Sequence, residues 1–173
     1  LRTVGFLKNK NFKHIILNNN SHESVGGQPT HFDGINLEKF SKSIGYKNYF
    51  QIYDDLFSTY RNKKITFIDI GVFSGGSLFM WKEFFGKKAR IIGVELNPVA
   101  KKFEKYGFEI FVGDQSSSEF WKKFFKKVGK VDIVLDDGGH TNYQQIKTTN
   151  SCIPYINDGG LMVVEDTHAS YIK

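Results

Sequence analysis

Cysteine is almost absent: Cys152 is the only one in 173 residues, so no disulfide framework can staple the fold and a reducing compartment is implied. Long apolar runs are missing as well, and none reaches the ~20 residues that a helix needs to span a bilayer. The opening stretch, Leu1 to Lys10, lacks the apolar core of a signal peptide. These absences lead to the expectation of a cytoplasmic protein that makes no use of a membrane. No internal repeat occurs, and the length suits a single buried core. The chain opens on leucine and stops soon after its last apolar run, so both ends read as trimmed.

The formal net charge of +6 raises the question of a nucleic-acid partner, because clustered lysine and arginine displace counterions from phosphates. The distribution argues against one. In Trp121-Lys122-Lys123-Phe124-Phe125-Lys126-Lys127 the lysines alternate with an aromatic face at helical spacing, which reads as a solvated helix surface.

Residues 1–33 are rich in asparagine, lysine and histidine, show no sustained period and read as irregular. A short helix is expected over 36–44. Tyr49, Phe50, Tyr53, Phe57 and Tyr60 fall on one helical face, so residues 47–60 read as a helix packed on the main domain. Two parts follow: an irregular and helical extension over 1–61 and a ligand-binding domain over 62–173.

From Ile65 onward strands and helices alternate. Strands are expected at 65–70, 90–95, 109–112, 131–135 and 161–164, with helices near 76–85, 98–106, 117–128 and 142–153. Asn97-Pro98 offers a cap with proline at the first helical position, while Ser116-x-x-Glu119 and Thr141-x-x-Gln144 have the spacing of capping boxes. Gly86, Gly107 and Gly129 stand just past three helix ends. Strands alternating with helices require right-handed crossovers, hence a doubly wound, mostly parallel α/β sheet.

The first strand ends in Asp69-Ile70-Gly71-Val72-Phe73-Ser74-Gly75-Gly76-Ser77, a tight turn into a helix that reads as a cradle for a nucleotide-type ligand. The dinucleotide fingerprint needs glycine where Phe73 stands, and Asp69 would repel a pyrophosphate, so an NAD-dependent enzyme is disfavoured. A carboxylate there suits a cationic or amine-bearing ligand.

In such a sheet ligands bind beyond the carboxyl ends of the strands, and every expected strand ends in polar residues. Glu95 is placed to accept the ribose hydroxyl protons of an adenosine ligand. Asp114 reads either as a partner for an adenine amine or as a turn residue before Ser116, with Gln115 a weaker contact. Asp136, Asp137, Glu165 and Asp166 close two strands expected to be neighbours, about 4.8 Å apart. Two like charges about 4 Å apart cost roughly 4 kcal/mol at an effective dielectric near 20. A bound cation would relieve that repulsion, and hard oxygen donors with positions open to a substrate favour magnesium. A solvated acidic rim is the alternative. His140, three residues past Asp137, reads either as a general base or as a packing residue at a helix start.

Phe67 to Ser77, with its Asp-x-Gly-x-x-x-Gly-Gly spacing, resembles the first motif of class I S-adenosylmethionine-dependent methyltransferases. Asp136-Asp137-Gly138-Gly139-His140 and Gly159 to Tyr171 further resemble the magnesium-dependent sugar O-methyltransferases of the macrocin and mycinamicin type, over about residues 46–171. The resemblance implies that Asp137, Glu165 and Asp166 hold magnesium and that His140 is the base. It also implies that Asp69, Gly71, Ser74, Gly75, Ser77, Glu95, Asp114, Gln115 and Asp136 surround S-adenosylmethionine. Gly139 stands where the relatives often carry serine. The acceptor implied is a small molecule or glycan with neighbouring hydroxyls, and assembly as a homo-oligomer stays open. Such enzymes continue into two further strands that nothing here supplies, so the last strand is expected to be an uncovered edge, left by truncation or covered by a partner chain. The rival from another class is a binding module for an adenosyl ligand or nucleic acid, without turnover.

Overall fold

Isoleucine, valine and phenylalanine alternate in short runs from Thr66 onward, and each run becomes a strand buried on both faces. The structure, a computed structural model, describes residues 5–8 and 47–167. Its strands are β1 (Gly5–Lys8), β2 (Thr66–Ile70), β3 (Arg90–Glu95), β4 (Glu109–Val112), β5 (Val131–Asp136) and β6 (Ile156–Val164). The α-helices are α1 (Lys47–Phe57), α2 (Gly76–Phe85), α3 (Ser118–Val128) and α4 (Asn142–Cys152). Strand order is β1-β6-β5-β2-β3-β4, with β2 to β6 parallel and β1 antiparallel to β6.

This is the Rossmann-like, doubly wound sheet expected from the sequence. The chain runs outward from β2 through β3 to β4, then returns to β5 on the other side of β2. Strand order therefore reverses between β2 and β5, and a crevice opens at their carboxyl ends.

Side chains alternate across the sheet. Phe67 faces a layer with Phe57, Trp81 and Phe85, whereas Ile68 and Ile70 face Trp121, Phe124 and Phe125. Trp81 centres the first layer, with ring centroids 5.0 Å from Tyr53, 5.5 Å from Phe57 and 5.0 Å from Phe67. Tyr53 and Phe57 of α1 thus belong to the main core. Tyr60 follows α1, and its phenol donates to the Gly159 carbonyl at 2.6 Å.

Some local expectations shift. The segment Pro98–Tyr106 is a 3-10 helix, not an α-helix, although Asn97 caps it and accepts from the Val99 amide as its sequence suggests. At α3 the cap is Ser117, one residue later than expected, because the Ser116 hydroxyl is engaged by Asp114. At α4 both halves of the Thr141/Gln144 capping box form. Strand β6 begins at Ile156, five residues early, by pairing with Val131 before a shift in register.

The largest difference is at the sheet edge. Gly5–Lys8, within a stretch read as irregular, pairs with β6 from Gly5 opposite Val164 to Lys8 opposite Leu161. The last parallel strand is therefore covered by the chain itself, which satisfies backbone groups that an open edge would expose. Four residues in polar surroundings carry too little pattern to announce this pairing. The helix expected over 36–44 lies outside the described residues. Among the described residues no helix is long and apolar enough to cross a membrane.

Phe57 is fully buried while Ile146 on α4 is 59% exposed. Phe57→Ala should cost about 3–5 kcal/mol in urea unfolding, against less than about 0.5 kcal/mol for Ile146→Ala. Equal costs would detach α1 from the core.

Candidate active site

Where the loops after β2 and β5 meet, the backbones touch. Gly71 has φ +93°, and a Cβ on it would lie 2.3 Å from the Asp137 carbonyl oxygen, so no larger residue fits. Asp137 N donates to Ile70 O at 3.0 Å across the crossing, and Gly71 N ties the β2 loop to β3 by donating to Val94 O at 2.9 Å. Above it lies a cavity of about 460 Å³ lined by Gly71, Phe73, Glu95, Asp114, Gln115, Asp137, His140 and Asp166, among others.

One wall comes from β3 and β4. Glu95 lines it and braces two loop amides, accepting from Phe73 N at 2.8 Å and from Asn97 N at 3.0 Å. Phe73 is held with φ +45° and its ring is 74% exposed at the cavity. Asp114 lines the same wall and serves as the turn residue before Ser116. The Ser116 hydroxyl and amide, at 2.7 and 2.8 Å, keep its carboxyl below the usual range.

Several candidates stand back from the cavity. Asp69, Ser74, Gly75, Ser77 and Asp136 do not line it. Asp69 faces α2 and is buried; burial pushes its carboxyl up to about 7. The Ser77 hydroxyl and Trp81 indole pull against that rise, while the Asp137 and Glu95 carboxylates add to it. Asp136 is likewise buried, and burial raises it to about 7 against hydrogen bonds from Gly138 and Gln115.

The acidic strand ends converge only in part. Asp137, His140 and Asp166 each place one donor atom within 4.8 Å of the other two, and all three are half-buried. His140 Nε2 lies 3.9 Å from Asp166 Oδ2, and His140 Nδ1 is buried with no protein hydrogen-bond partner. Asp166 sits at φ +51°, an uncommon conformation for a residue with a side chain and one that recurs at functional sites. Glu165 is buried, outside this trio and outside the cavity lining.

Two residues that hold the site escaped the sequence reading. Gln145, buried on α4, donates to the Glu165 carbonyl at 2.9 Å. Thr148, fully buried on the same helix, bonds to Gln115 at 3.0 Å. The available signal was a pair of polar residues three apart on α4, on the side of the helix that packs on the sheet.

A family model described as a methyltransferase domain matches residues 68–167, well over half of the chain and the whole of this site. The chain belongs to that family. The methyltransferase domain is 32% identical over 145 residues to the 8-demethyl-8-alpha-L-rhamnosyl tetracenomycin-C 2'-O-methyltransferase of Streptomyces olivaceus, covering 80% of this chain and 38% of that protein. It is 32% identical over 140 residues to the mycinamicin VI 2''-O-methyltransferase of Micromonospora griseorubida, covering 76% and 35%. In structure it superimposes on the MycE methyltransferase of the mycinamycin pathway, solved in complex with Mg and SAH, with a TM-score of 0.71 and 31% identity over 79% of this chain and 41% of that one. The chain thus spans about two fifths or less of the length of these relatives.

Asp69 gives this domain a testable pH signature. Its folded carboxyl titrates near 7 against 3.8 for the ordinary group, so its share of stability is complete below pH 4 and drains away as pH rises through 7. Three units correspond to a loss on the order of 4 kcal/mol. Asp69→Asn should remove that decline, gaining on the parent from pH 4 to 8 in urea titrations with EDTA present. A difference independent of pH would contradict the assignment.

Proposed function

We propose that this domain is the catalytic part of an S-adenosylmethionine-dependent, magnesium-dependent O-methyltransferase acting on a sugar hydroxyl that has a neighbouring hydroxyl. One observation carries the reading: the Asp137, His140 and Asp166 trio opens into the same cavity as the Gly71, Glu95 and Asp114 wall. The relatives support it, since one is named as an O-methyltransferase of a rhamnosyl tetracenomycin, another as one of mycinamicin VI, and MycE was solved with Mg, SAH and mycinamycin VI.

The donor set fits the ion. Carboxylates are hard oxygen ligands, and the single thiol, Cys152, is buried in the core and takes no part in the trio. Asp137 and Asp166 would hold magnesium, with Glu165, adjacent in the chain, as the third carboxylate. Two or three protein ligands leave positions for acceptor oxygens. When bound, the ion supplies the positive charge that holds two vicinal oxygens and lowers the pKa of the reacting one.

The chain's own groups do the rest. Glu95 has spent one lone pair of each oxygen on a loop amide and keeps others for ribose hydroxyls. Gly71 lets the donor approach the backbone without a side chain between them. His140 Nε2 takes the acceptor proton, and the nearby Asp166 carboxylate stabilises the imidazolium that results. Methyl transfer then depends on alignment, which the fixed walls of the crevice provide.

Calorimetry with magnesium chloride and SAH separates these roles. Asp137→Ala should abolish magnesium binding and leave SAH affinity unchanged; loss of SAH binding with magnesium retained would refute the division. His140→Gln should keep both affinities and lower turnover with radiolabelled S-adenosylmethionine and an L-rhamnoside by about 10²-fold or more. Loss of magnesium affinity in that variant would make His140 a ligand, as its place in the trio also allows.

A further inference from the structure

We propose that Gln115 is a positioning residue: its side chain fixes the loop that carries Asp137 and His140, rather than serving chiefly as a contact for the donor. The proposal rests on the metal reading above only for its consequence, not for its geometry.

Gln115 is buried, 8% exposed, at the carboxyl end of β4, and reaches across the crevice to the loop after β5. Its Nε2 has two hydrogens and two sets of acceptors: the Asp136 carboxylate at 3.0 and 3.2 Å, and Thr148 Oγ1 at 3.0 Å. Its Oε1 accepts from the Gly139 amide at 2.5 Å. The amide orientation follows from the Gly139 partner, since a backbone N–H can only donate and so faces Oε1. The residue is itself anchored, for its carbonyl accepts from Trp121 Nε1 at 2.7 Å and from Thr148 Oγ1 at 3.4 Å. Gln115 thus joins the 136–140 loop and α4 through its side chain and α3 through its carbonyl.

Packing makes the same point. A Cβ on Gly138 would lie 2.3 Å from Gln115 Oε1, so the loop and the amide are fitted to each other. Gly139 lies between Asp137 and His140 in the chain, and its N–H is the bond through which Gln115 holds that segment. A buried amide replaced by an apolar side chain leaves Gly139 N without its partner and the Asp136 carboxylate with the Gly138 amide but no longer Gln115, which a local loop relieves by moving.

The test uses the whole chain. In Gln115→Met, amide exchange at Gly139, read by NMR in the absence of metal, should accelerate at least about tenfold while amides in β2 and β3 keep their protection. The same variant should bind Mn²⁺, used as the divalent probe, at least about tenfold more weakly than the parent. Unchanged protection at Gly139 would overturn the proposal. Faster exchange with unchanged Mn²⁺ affinity would overturn its consequence for the site. Should Gln115→Met not fold, the paired swap Gln115→Glu with Asp136→Asn decides, because it restores a donor opposite an acceptor. Parental Gly139 protection in the swap supports the proposal, and a folded swap with Gly139 unprotected refutes it. A parent protein that binds no Mn²⁺ would sink the metal reading, and exchange at Gly139 would still decide this one.

Discussion

The site depends on two polypeptide backbones meeting with no side chain between them, where Gly71 lies against the carbonyl of Asp137. Sheet topology forces this meeting. Strands β2 and β5 are neighbours, yet the chain leaves β2 in one direction and returns to β5 from the other, so their loops diverge above the sheet after crossing at its rim. The same reversal opens the crevice and brings Glu95 and Asp114 into the lining of one cavity with Asp137, His140 and Asp166. A wider residue at position 71 would push the β5 loop away and carry Asp137 with it.

Charge is the second constraint. Seven acids, Asp69, Glu95, Asp114, Asp136, Asp137, Glu165 and Asp166, stand at the strand ends of a chain whose formal charge is +6, and the lysine ion pairs Lys101 with Glu104 and Lys123 with Glu119 involve none of them. The acids are accommodated in different ways. Asp69 and Asp136, withdrawn from the cavity, titrate near neutrality and so shed part of their charge. Asp137 and Asp166, half-buried beside His140, face the cavity where a cation can reach them. Burial thus divides one cluster into groups that support the loops and groups able to bind.

Much of this was legible in the sequence because strand ends and glycines are local signals. The alternation of strands and helices, the glycine after Asp69 and the acids at 136, 137, 165 and 166 each need only a short window to be read. What such a window cannot convey is the direction of a side chain. The window that marks Asp69 as a strand-end acid does not show that the period of two along β2 turns it toward Trp81 and out of the cavity lining. Glu165 and Asp166 follow the end of β6, where Asp166 takes φ +51°, and only the second joins the trio. The edge strand at Gly5–Lys8 was invisible because its partner lies more than 150 residues away and its own four residues carry no period.

The loop from β5 to α4 shows how rigidity is distributed around these residues. Its start is tied where Asp137 N meets Ile70 O, its middle where Gly139 N meets Gln115, and its end by the capping box of Thr141 and Gln144. Asp137 is therefore itself tied at its amide, and His140 sits between tethers at Gly139 and Thr141. A loop so short and so often fastened has few ways to relax, which favours holding two polar side chains near a third against their tendency to spread into water. Asp166 arrives from a separate strand, but its neighbour Glu165 is tied to the same region, its amide donating to the Asp136 carbonyl and its own carbonyl accepting from Gln145. The trio is thus assembled less by contacts among its members than by the backbone bonds on either side of each, and a substitution at one of those tethers can disturb the site without touching any residue that faces the cavity.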